Sequence, residues 1–140
     1  MLYFFLRYDM IAVEMFGSDI IRVKINGYLR NNTEKDIYDF NIKGIKNKNK
    51  ISYSCDNVMY NICIEKDNII LKREGNDFIN TFIFNKKNSI SNYLLKDNNY
   101  DVDIDVITKD INVSDNSVYI KYLIVDSNSE FEFKLEMSDV

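Results

Sequence analysis

Between Ile51 and Phe84 two polar side chains, Arg73 and Asn80, fall on an otherwise apolar face and opposite one another. A guanidinium in such a place must be hydrogen-bonded or paired. It therefore either anchors the carboxylate or phosphate of an anionic ligand, or caps carbonyls at a sheet end while bonding to Asn80 and a tyrosine hydroxyl. Tyr53, Tyr60 and Tyr122 share that face, and with Arg73 and Asn80 they form a candidate ligand-binding set. A second constellation is the acidic comb Asp101, Asp103, Asp105. A calcium loop of the EF-hand type needs Gly at its sixth position and a distal Glu, whereas Val106 stands there and Val102 and Ile104 alternate with the acids as in a strand. Carboxylates on one face of a strand lie about 7 Å apart, too far to surround one ion. They are expected to be a solvated face with Lys109 or Lys121 as partners, each pair contributing roughly 0–1 kcal/mol.

The chain contains no His, which excludes Ser-His-Asp and Cys-His triads, imidazole acids and bases, and His-ligated metals. Two cysteines cannot hold a structural zinc by themselves. Cys55 is expected to point inward as a small core residue and Cys63 outward, so they are not expected to form a disulfide, and reduced thiols fit a cytosolic setting. No catalytic residue, metal site or cofactor is nominated. The net charge of −4 argues against a broad nucleic-acid or anionic-membrane surface, since both need clustered positive charge.

The elements that must position the candidate set follow from turn chemistry. Asp56-Asn57, Asp67-Asn68 and Asn76-Asp77 recur about ten residues apart, the interval of a β-meander, and Asn and Asp tolerate the positive φ of tight hairpins. Treating each pair as a two-residue turn sets Tyr53 opposite Tyr60, Ile51 opposite Ile62, Ile64 opposite Leu71, Ile62 opposite Arg73, Arg73 opposite Asn80 and Leu71 opposite Phe82. Directly opposed residues share a face, and a slip of one residue would send these sets to solvent.

At 140 residues and 46% hydrophobic the chain has material for one domain with a real core. Residues 1–19 are read as a short helix or irregular segment: their apolar run is too short to span a bilayer and lacks the charge pattern of a signal peptide. Residues 20–140 are read as the β domain. Ile20 to Tyr28 and Asp36 to Ile45 alternate, with Leu29 to Lys35 a loop between them and Lys46 to Lys50 a basic turn. Ile90 to Leu95 is a short strand. Tyr100 to Thr108 then alternates with Tyr100, Val102, Ile104, Val106 and Thr108 inward. The apolar parity shifts past Lys109-Asp110, predicting a β-bulge. Asp115-Asn116 is a further turn, setting Val113 opposite Val118 and Ile111 opposite Ile120. A loop over Asp126 to Ser129 precedes the last strand, with Phe131, Phe133, Leu135 and Met137 inward. One covered face along a long meander is most economically hidden by closure. The prediction is all-β, a single antiparallel meander closed into a small barrel of about 8–10 strands, with a two-sheet sandwich as the alternative. On the outside, Ile70 opposite Ile83, with Ile79 beside them, forms an apolar patch that the N-terminal segment or a second subunit would cover.

Arg73-x-Gly75 closing a strand, Phe78, Phe82 and Phe84 in the next, Tyr93, Thr108, and Ile120-x-Tyr122 near the end together resemble the YwiB-like family, a domain of unknown function in small bacterial proteins with a calycin-type barrel. The resemblance spans roughly Ile20 to Met137. It implies a lipocalin-like barrel and a cytoplasmic setting, and carries over no active site; the Trp common near the first strand of lipocalin relatives is absent. The expected function is a binding module for a small, partly apolar ligand, neutral or anionic, at the barrel mouth. The alternative is a solidly packed structural or protein-interaction domain, monomeric or weakly dimeric.

Overall fold

The structure, a computed structural model, describes residues 20–140; the reading of residues 1–19 lies outside the described residues. Ten antiparallel strands follow in chain order: β1 (Ile20–Asn31), β2 (Asp36–Asn47), β3 (Lys50–Cys55), β4 (Val58–Ile64), β5 (Ile69–Glu74), β6 (Phe78–Phe84), β7 (Asn88–Leu95), β8 (Tyr100–Ser114), β9 (Ser117–Ile124) and β10 (Ser129–Asp139). Each pairs with the next, and β1 pairs with β10 to close the barrel, so every described strand has a neighbour on both sides. The described chain is all-β, a closed meander as the alternation predicts.

The two ends of the barrel differ. Ile25, Phe84, Val106, Val118, Ile120 and Leu135 are fully buried around the end where β1 starts and β10 finishes, with Ile51 and Ile62 almost as dry. Each such side chain contributes roughly 1.5–3 kcal/mol relative to exposure, and together they fill that end with aliphatic packing. At the other end the interior is lined by rings.

Turn chemistry sets much of the register. Asp56 and Asn57 take φ of 52° and 64°, the doubly positive geometry of a two-residue hairpin turn, and Tyr53 pairs with Tyr60 and Ile51 with Ile62. Arg73 pairs with Asn80 and Leu71 with Phe82; Val113 pairs with Val118 across the Asp115-Asn116 turn. The predicted irregularity falls between Thr108 and Asp110.

The β4–β5 register departs from the prediction. Ile64 pairs with Ile69 and Tyr60 with Arg73, not Ile64 with Leu71 and Ile62 with Arg73. The Glu65 amide donates to the Asn68 carbonyl at 2.8 Å, so the turn centres on Lys66-Asp67 rather than Asp67-Asn68. The shift is two residues in the pairing sum, so every side chain keeps its face while Arg73 moves beside Tyr60. Positive φ is likewise absent from Asp67, Asn68, Asn76, Asp77, Asp115 and Asn116. It appears instead at Lys48 in the β2–β3 turn and at Lys35, Asn99 and Asn128, the last three being the final residues of four-residue loops, where a left-handed residue returns the chain to its strand. Leu29 to Asn31, assigned to a loop from their polar context, continue β1, which pairs with β10 through Asn31.

Two serines complete the β6–β7 seam. Backbone pairing ends at Thr81 and Asn92, and beyond it the Ser91 hydroxyl accepts from the Ile83 amide at 3.0 Å while the Ser89 hydroxyl donates to the Ile83 carbonyl. Both serines are buried, so side chains satisfy groups that the ladder no longer reaches.

The lysines near the acidic comb choose another partner. Lys109 donates to Glu130 at 2.8 Å and Lys121 lies 3.9 Å from the same carboxylate. The hydrogen bond from Lys109, with one from Asn32, holds Glu130 below the usual carboxylate range. Asp101 and Asp103 accept from the Asn92 amide instead.

Candidate functional site

Strand direction brings the β1–β2, β3–β4, β5–β6, β7–β8 and β9–β10 connections to one end, around the ring-lined mouth. Inside it is a cavity of about 200 Å³ lined by Leu29, Tyr38, Phe40, Tyr53, Cys55, Tyr60, Leu71, Arg73, Phe82, Tyr122, Ile124, Phe131 and Phe133. An apolar cavity of about 150 Å³ holds a benzene molecule, so this space exceeds what a few waters fill.

One wall is a run of stacked rings. Phe40 lies 5.7 Å from Tyr53, and Tyr53 lies 4.8 Å from Tyr60 with planes 7° apart. Register places them there, since β2, β3 and β4 are neighbours and Tyr53 pairs directly with both Tyr60 and Gly44. Gly27 makes room for the wall: a methyl group there would sit 2.4 Å from the Phe40 ring and 2.7 Å from the Lys134 carbonyl. The facing wall is Tyr122 against Phe131, 5.4 Å apart, with Phe82 5.6 Å from Tyr122.

Arg73 enters from β5, half-buried, with its guanidinium 5.7 Å from the Phe78 ring centre. Its Nε and Nη2 both donate to Asn80 Oδ1, at 3.0 and 2.8 Å. Asn80 is buried and donates through Nδ2 to the Asn92 carbonyl at 2.9 Å, which fixes its oxygen toward the guanidinium. No carboxylate among the described residues pairs with Arg73. The positive charge is therefore oriented by a neutral amide and has no carboxylate partner among the described residues.

That charge reaches two hydroxyls. Burial pushes the Tyr53 phenol well above its ordinary value, and Tyr60 and Cys55 add to the shift while Arg73 opposes it. Burial likewise pushes Tyr122 up, again against Arg73. The Tyr53 hydroxyl is buried without a hydrogen-bond partner among the described residues, and so is the Thr108 hydroxyl on β8. At the rim, Tyr38 donates to Asp56 and lies 3.6 Å from Cys55 Sγ; that hydrogen bond to Asp56 raises the Tyr38 phenol above its ordinary value.

Of the five residues singled out from sequence, Arg73, Tyr53, Tyr60 and Tyr122 line this one cavity, and Asn80 stands behind Arg73 as its support. Sequence reasoning placed Leu29 in a loop and Cys55 in the core; Leu29 lines the cavity, and Cys55 is half-buried at its rim. The parity that Leu29 shares with Ile25 and Gly27 was the signal for it. Tyr38 and Tyr100, read as inward, are 47% and 57% exposed, because each lies at the mouth end of its strand, beyond the covered interior.

No family model matches the chain, and no curated protein matches it. Among solved structures, the crystal structure of the YwiB protein from Bacillus subtilis matches 87% of this chain and 92% of that one, with a TM-score of 0.64 and 14% sequence identity. The likeness is one of fold. It sets a closed ten-stranded barrel beside a solved structure over nearly the full length of both chains.

Proposed function

We propose that this chain is a small-molecule binding module, a calycin-like barrel whose mouth accommodates a compact, partly apolar ligand carrying negative charge. The observation that carries this reading is the roughly 200 Å³ cavity with Arg73 in its wall, paired with no carboxylate among the described residues. Pockets of this type are mostly apolar with a few convergent polar groups, and the ring walls with Arg73, Tyr53 and Tyr122 supply both. Asn80 acts by holding Arg73. A bacterial, cytoplasmic setting accords with two free thiols and the resemblance noted above. Native mass spectrometry of the protein released from cells tests the reading: a co-purifying small molecule, lost from Arg73→Met, supports it. A bare chain in both samples counts against it.

A second reading rests on the outer face of β2 to β6. Ile70 pairs with Ile83 there and Cys63 with Ile70, and Ile70, Ile79 and Ile83 are each partly exposed. On this reading the barrel acts through its outer face, as a monomer that recruits a protein or as a weak homodimer. Sedimentation velocity over a wide concentration range separates a concentration-dependent dimer from a monomer.

A further inference from the structure

We infer that the ligand of the mouth cavity is a small aryl monocarboxylate, gripped by the edge of Arg73 that Asn80 leaves free. The inference rests on the binding reading above and adds its chemistry. A guanidinium carries five N–H donors. Nε and Nη2 spend one each on Asn80 Oδ1, and no other hydrogen bond from Arg73 is made among the described residues. The remaining donors, on Nη1 and the far side of Nη2, form the end-on fork that matches the two oxygens of a carboxylate.

The charge balance selects a monoanion. Among the described residues one guanidinium, that of Arg73, faces the cavity, and the hydroxyls its field reaches, Tyr53 and Tyr122, are held in the neutral form by burial. A single negative charge is matched by that set. A dianionic phosphate would leave one charge desolvated without a partner, which is strongly unfavourable. The body of the ligand follows from the walls. The Phe40–Tyr53–Tyr60 stack and the Tyr122–Phe131 pair present flat ring faces, to which another ring packs with offset or tilted geometry. The volume limits the ring to one, with a short substituent.

Asn80 provides the decisive variant. Asn80→Asp is nearly isosteric and retains an acceptor for Arg73; it gives up the Nδ2 hydrogen bond to the Asn92 carbonyl, and it brings a carboxylate to the guanidinium and neutralises it. The full chain is titrated at pH 8.5 with benzoate, with benzamide as the neutral isostere and inorganic phosphate, dianionic at that pH, following tyrosine emission, since the chain has no Trp. The expected result is benzoate binding at least about tenfold tighter than benzamide, no saturable binding of phosphate, and loss of the benzoate preference in Asn80→Asp with an unchanged far-ultraviolet spectrum. Arg73→Met loses it as well. Equal affinity for benzoate and benzamide in the natural chain overturns the carboxylate assignment and leaves the binding reading standing. A benzoate preference that survives Asn80→Asp overturns the assignment to Arg73. Binding of neither compound overturns the inference outright; the broader reading then stands or falls on the co-purification experiment.

Discussion

Tyr53→Phe removes one oxygen atom from the interior and is expected to make the ligand-free protein more stable. The ring of Tyr53 is 1% exposed and stacked between Phe40 and Tyr60, and Phe preserves all of that packing. What disappears is a hydroxyl with no hydrogen-bond partner among the described residues. An unsatisfied buried polar group costs roughly 1–3 kcal/mol. The variant should therefore gain about 1–3 kcal/mol, which for a chain of this size raises Tm by roughly 3–10 °C. Urea unfolding followed by far-ultraviolet circular dichroism, with calorimetry for Tm, measures both quantities, and an unchanged m-value shows that the native state has not been altered. A loss of more than about 0.5 kcal/mol would refute the reasoning, because it would mean that the hydroxyl is satisfied in the resting protein.

Three further outcomes follow from the same geometry. Tyr53 and Tyr122 both have folded-state pKa values raised by burial, so the unfolded chain releases their protons first; stability is complete below about pH 10 and falls as pH rises toward the folded values, by about 1.4 kcal/mol per pH unit for each group. Urea midpoints between pH 9 and 11.5 should show that decline, and Tyr53→Phe should reduce its slope; a flat profile would contradict the burial of both phenols. Gly27→Ala drives a methyl against Phe40 and the Lys134 carbonyl and should cost about 1–3 kcal/mol by overpacking in chemical denaturation, with stability within 0.5 kcal/mol of the natural chain counting against the wall geometry. Ser91→Ala strands the Ile83 amide beyond the end of the β6–β7 ladder and should lose about 1–3 kcal/mol, with faster hydrogen exchange at Ile83 as the local signature.

The fold was legible wherever side-chain chemistry and alternation agreed. Tyr100 to Thr108 shows its period-2 pattern directly, and the parity shift after it marks the bulge between Thr108 and Asp110. Asp56-Asn57 gives its hairpin away because two consecutive residues tolerate positive φ. Asp67-Asn68 misleads for a physical reason: Asx residues also suit the flanks of a turn, and the chain turns at Lys66-Asp67, with Asn68 accepting the closing hydrogen bond. Because the resulting shift preserves parity, the faces survive the mistake and Arg73 still points inward, but its neighbour across the ladder changes from Ile62 to Tyr60. The convergence of Tyr122 with Arg73 rested on barrel closure rather than on local pattern, since β5 and β9 are not adjacent strands. Leu29 was hidden by the polar residues that follow it, and the exposure of Tyr38 by its position at a rim that periodicity does not locate.

A crystal structure of the full chain soaked in benzoate tests the central claim most directly. The account predicts a flat ring in the space between Tyr60 and Phe131, with its carboxylate oxygens within hydrogen-bond distance of Arg73 and Asn80 still bonded behind it. A mouth closed by the protein's own side chains, with the Arg73 guanidinium turned out to solvent and away from Asn80, would contradict it.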